Sequence, residues 1–91
     1  MAHNFKILRH RTDENLYLEL GGDFDGNSAF ELLDVLKENS NNIARVSINT
    51  DNLKKIHPFG IQVFHLNFSK IKYHQTCVEF IGENAGQITS N

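Results

Sequence analysis

Two apolar stripes at helical spacing, each bracketed by short runs of strand character, leave this 91-residue chain few ways to fold. Ala29, Leu32, Leu33 and Leu36 fall at i, i+3, i+4 and i+7, and Ile61, Phe64, Phe68 and Ile71 define a second stripe, to about Lys72. Each set marks one face of an amphipathic helix. Between them the β-branched run 43–48 reads as a buried strand, and residues 76–81 read as a last one. Ahead of both helices, residues 5–9 and 16–20 make a hairpin around the polar turn 12–15. In its second arm Leu16, Leu18 and Leu20 alternate with Tyr17 and Glu19, the period of a strand with one buried face, and Gly21-Gly22 closes it. Strand, strand, helix, strand, helix, strand predicts an α/β fold. Each strand–helix–strand step makes parallel neighbours and the hairpin adds an antiparallel one, giving a mixed β-sheet of about four strands with helices packed on one face. The other face, with Tyr17 and Glu19, is left as a contact surface.

Local signals place the boundaries. Ser28 and Glu31 have the spacing of a capping box, which puts the first helix start at Ser28. The polar run 39–42 ends that helix, and residues 49–52 have loop chemistry. Pro58, the only proline, fits the first turn of the second helix, where its missing N–H costs nothing. Residues 1–91 read as a single domain whose tail, from about residue 83, has little to bury and is expected to be poorly ordered or to hold one short turn.

Composition narrows the function. Nine basic against eleven acidic residues give a net charge of −2, and Lys54-Lys55 is the only adjacent basic pair, so no footprint for nucleic acid is present. No apolar stretch approaches the ~20 residues of a membrane span, so no membrane insertion is expected, and the N-terminus lacks a signal-peptide pattern. The cytoplasm is the default compartment. The single cysteine, Cys77, excludes an internal disulfide and reads as a small buried hydrophobe within an apolar run. Asp23, Asp25 and Asn27 crowd one turn, but the glycine and glutamate of a calcium loop are out of place. Neither a metal nor a cofactor is expected. No serine or cysteine has a matching base, and no enzyme is expected.

Three segments in register, from Leu18 to Ala85, carry a family likeness. Gly22-Asp23-Phe24-Asp25 with Ala29 and Leu32 comes first, then Ile48-Asn49 with Leu53 and Ile56, then Gly60 with Val63 and Phe64. Together they resemble the STAS domain, the fold of the anti-sigma factor antagonists. The resemblance implies a protein-interaction module in bacterial signal transduction, with an anti-sigma factor or kinase-like regulator as partner. The family's signature loop carries a phosphorylatable hydroxyl after an aspartate; here the same places hold His57, Pro58, Phe59 and Gly60. Proline cannot accept a phosphoryl group, so the resemblance implies a module without serine phosphorylation control. Asp25 keeps the other acidic place near that site.

The expected partner-binding surface is the loop from Asn52 to Gly60 with the adjacent turn: Asp23, Asp25, Lys54, Lys55, His57, Pro58, Phe59 and Gly60. Phe59 either anchors a partner from an exposed position or packs inward under the loop. The resemblance leaves a second role open, a structural STAS subunit of a lipid-transport or other assembly with a transporter ATPase as partner, or a self-associating scaffold. A homodimer is among the arrangements allowed.

Overall fold

The hairpin forms as its alternation predicts, from β1 (Lys6–Thr12) and β2 (Asn15–Phe24), paired antiparallel from Lys6↔Gly21 to Thr12↔Asn15. The structure, a computed structural model, describes residues 4–38, 43–70 and 77–89. The second arm does not close at Gly21-Gly22; β2 runs on to Phe24. The glycines sit where its register against the next strand shifts, between Glu19 and Gly21 and between Gly22 and Asp23. Gly22 has φ +87°, and a side chain there would collide with the backbone of Asn4, so the position needs glycine.

Because β2 is longer than expected, α1 (Gly26–Glu38) begins at once from Asp25. Ser28 N donates to Asp25 Oδ1 (2.9 Å) and Ala29 N to the Asp25 carbonyl (2.9 Å). Asp25, not Ser28, is therefore the N-cap. Ser28 is buried one turn inside the helix, its hydroxyl 2.8 Å from the Asp23 carbonyl and 3.0 Å from Asp25 Oδ1. Glu31 is exposed and takes no part in a cap. Residues 39–42, expected to end the helix, lie outside the described residues.

β3 (Arg45–Ile56) overturns the loop expected at 49–52. It lies parallel to β2 along its length and parallel to β4 (Cys77–Ile81) from Arg45 to Asn49, giving the sheet order β1-β2-β3-β4. Beyond Asn49 side chains take over from the ladder. Thr50 is fully buried; its Oγ1 donates to the Ile81 carbonyl (2.8 Å) and accepts from Asn84 N (3.1 Å). Asp51 Oδ1 accepts from Glu83 N (2.7 Å), and Asn84 Nδ2 donates to the Thr50 carbonyl (2.9 Å). Polar residues with turn chemistry thus satisfy the backbone where the fourth strand stops.

Pro58 opens α2 (Pro58–Phe68) as its first residue. Phe64 is buried, Ile61 and Phe68 are half-buried, and Val63 joins the core; Ile71 and Lys72 lie outside the described residues. The Phe64 ring stacks on Phe68 (5.2 Å) and meets Phe80 edge-on (5.4 Å). The tail, expected from about residue 83 to be poorly ordered or to hold one short turn, forms the short helix α3 (Ala85–Thr89). Ile88 is fully buried, and its carbonyl accepts from His65 Nε2 on α2. Leu18, Leu20 and Phe24 of β2, Leu32 and Leu36 of α1 and Ile48 of β3 complete one core, each burial stabilising by about 1.5–3 kcal/mol. Cys77, expected to be buried, is exposed. It pairs with Arg45, whose neighbours Val46 and Ile48 face the core, so it falls on the helix-free face.

Candidate functional site

At the carboxyl ends of β2 and β3 both long helices begin, and their starts abut. This is where parallel strands of open α/β sheets commonly present their sites. His57 ties the two halves together. Its N–H donates to the Phe24 carbonyl (2.9 Å), and its own carbonyl accepts from Gly60 N (2.9 Å) and Ile61 N (3.3 Å). As the residue before a proline it is held extended, at φ −85° and ψ 131°, and it serves as N-cap without a side-chain bond. The imidazole is left exposed.

The contact between the helix starts depends on two glycines. A Cβ at Gly60 would stand 2.8 Å from the carbonyl carbon and oxygen of Asp25. A Cβ at Gly26 would stand 3.0 and 3.2 Å from two ring carbons of Phe59. The first residue of α1 thus forms a seat for the Phe59 ring, while Gly60 allows the backbone of α2 to press on the cap of α1. Seated on one side only, Phe59 remains 66% exposed, which decides between the two orientations left open by the sequence.

Asp23, Asp25, Lys55, His57, Pro58, Phe59 and Gly60 come together at this end of the sheet; Asp23 and Lys55 are register partners without an ion pair. Lys54 and Lys55 stand exposed on β3 rather than in a loop, since the strand continues to Ile56. Asp25 has a structural task as the cap, and Gly60 is buried. Lys54, Lys55, His57, Pro58 and Phe59 are the exposed members of the group.

Sequence reasoning missed three residues here. Gly26 makes the seat of Phe59. Phe30, one turn further along α1, is 51% exposed, and Leu66, two turns beyond Phe59 on α2, is 68% exposed. The available signal for the last two was an apolar residue of large size lying off the helical stripe. Among the described residues no group of three or more histidine, cysteine or acidic side chains is placed to hold a metal ion. No described helix is long and apolar enough to cross a membrane.

No protein-family model and no curated protein matches the sequence. Solved structures do match. The anti-sigma factor antagonist SpoIIAA in its unphosphorylated form superposes with a TM-score of 0.61 at 12% identity, over 84% of this chain and 70% of that one. An anti-sigma factor antagonist from Mycobacterium paratuberculosis gives 0.69 at 13% identity, over 92% and 73%. The larger protein Mglu gives 0.69 at 20% identity over 80% of this chain, which spans only 18% of Mglu. At these identities the likeness is one of fold alone: four mixed strands with three helices, an α/β arrangement shared with the solved SpoIIAA-like anti-sigma factor antagonists.

Proposed function

We propose that the chain is a non-enzymatic protein-interaction module of the anti-sigma factor antagonist kind, binding an anti-sigma factor or kinase-like regulator through the abutting helix starts. One observation carries this reading: Phe59, at the first turn of α2, holds its ring two-thirds exposed on the seat made by Gly26. A large aromatic side chain braced on one side and open on the other is an interface anchor with little rotamer freedom left to lose. Lys54 and Lys55 on β3 and His57 ahead of α2 are exposed at the same end of the sheet and supply polar groups that tune specificity, with Asp23 at the end of β2 and the Asp25 cap beside them. Pro58 offers no hydroxyl, and the buried Ser28 hydroxyl is engaged within the turn, so binding at this end runs without a serine switch.

Affinity capture from cytoplasmic extract, comparing the wild type with Phe59→Asp, tests the reading. The expected result is a regulator of the anti-sigma or kinase-like class that binds the wild type and is lost in the variant. An identical set of captured proteins from both overturns it. A second reading is a structural subunit beside a transporter ATPase or within another assembly; the match to Mglu, of which the matched region is only 18%, favours a place within a larger assembly. An ATPase captured equally by both proteins supports that alternative.

A further inference from the structure

We infer that a second copy of this chain pairs along β1, joining two sheets across a two-fold axis, at a surface separate from the helix starts. β1 stands at the end of the sheet and, among the described residues, pairs only with β2. Every second residue therefore presents its N–H and C=O outward without a strand partner. Edge strands are ordinarily shortened, bulged or broken by proline. β1 has seven residues, no proline and an unbroken one-to-one register, and Leu8 on it is 62% exposed. The other edge differs: β4 has five residues, and the chain after it is fastened to β3 by Thr50 and Asp51.

Charge identifies the occupant. β1 carries Lys6, Arg9 and Arg11 and no acidic residue. Ile7, Arg9 and Arg11 pair with Leu20, Leu18 and Leu16, so they share the helix side of the sheet. There a groove separates β1 from α1, with Phe5, Ile7 and Val35 along it. Its far bank is acidic: Glu31, Asp34 and Glu38, at i, i+3 and i+7 of α1. Three bases and three acids thus flank one open edge. Within the chain only Arg9 and Glu38 meet, at 3.7 Å and largely exposed.

An antiparallel pairing centred on Leu8 redirects Arg9, trading its exposed contact with Glu38 for the two acids of α1 left unpaired among the described residues, Glu31 and Asp34. Leu8 lies against Leu8 of the second copy, and Lys6 lies against its His10, so no lysine or arginine stands opposite another. Ile7 lies against Arg9 of the second copy, whose stem covers the groove while its guanidinium reaches Asp34 and Glu31. The two-fold axis repeats each contact, as an isologous interface requires.

Sedimentation equilibrium on the full chain, over a concentration series at low and high salt, tests this. The expected result is a dimer that dissociates on dilution and more readily at high salt. Leu8→Lys leaves a monomer with an unchanged circular dichroism spectrum. Arg9→Glu and Asp34→Arg each weaken association by about tenfold or more, and the double variant Arg9→Glu/Asp34→Arg regains it. A monomer at every concentration, a dimer indifferent to Leu8→Lys, or a double variant no tighter than the singles overturns the proposal.

Discussion

The backbone of Gly60 rests against the backbone of Asp25 so closely that a Cβ on Gly60 would stand 2.8 Å from the Asp25 carbonyl. The obstacle is main chain, fixed by β2 on one side and α1 on the other, and cannot swing away. Gly60→Ala is therefore expected to destabilise the domain by about 1–3 kcal/mol, measured by urea unfolding. Gly26→Ala is crowded by the Phe59 ring, which has solvent to move into, and touches Val63 only at an ordinary 3.9 Å, so it should cost less. Equal losses at the two positions would contradict the unequal nature of the contacts.

Phe59 separates binding from folding. With its ring 66% exposed, Phe59→Asp should leave thermal stability within about 0.5 kcal/mol of the wild type while partner binding is lost. Unfolding of the variant would mean that the ring's contact with Gly26 matters more to the fold than its exposure suggests.

Asp25 offers a test of which residue caps α1. Removing its carboxylate in Asp25→Ala takes the acceptor from Ser28 N and should cost about 1 kcal/mol, whereas Asp25→Asn retains an oxygen in place and loses little. If unfolding midpoints of the two variants coincide, the cap lies elsewhere.

Thr50 fastens the end of the chain. Thr50→Val keeps the shape but strips the donor to Ile81 and the acceptor for Asn84 N, leaving buried groups unpaired at a cost of about 1–3 kcal/mol. Amide exchange should quicken first at Glu83, Asn84 and the residues of α3. Exchange unchanged in that segment would show that Ile88 and His65 alone hold it.

The layers of this fold were legible because its periodicities are strong. Leu16, Leu18 and Leu20 alternate, Ala29, Leu32, Leu33 and Leu36 keep one helical face, and every one of these seven is buried. The strand ends were not legible, for a reason that Thr50 and Asp51 make plain. Residues with turn propensity were placed inside β3 because long-range partners, Ile81, Glu83 and Asn84, consume their side chains, and no local window contains those partners. The same holds for α1: Asp25 and Ser28 both suit a cap, and only the length of β2 decides between them. At the site, the loop's residue types were readable, and Pro58 indeed opens a helix. The seat of Phe59 was hidden, since Gly26 and Phe59 are joined only by the meeting of two helices.

β1 runs against the other three strands, and Asn4, just ahead of it, accepts the backbone N–H of Asp23 at 3.2 Å. The chain therefore enters the domain at the end where both long helices begin. A purification tag or a fused domain attached ahead of Asn4 would be led out at that end of the sheet and crowd anything approaching the helix starts. Binding assays that immobilise the protein through that terminus would then report weak or absent interaction for reasons of access alone, and attachment elsewhere is the sounder geometry.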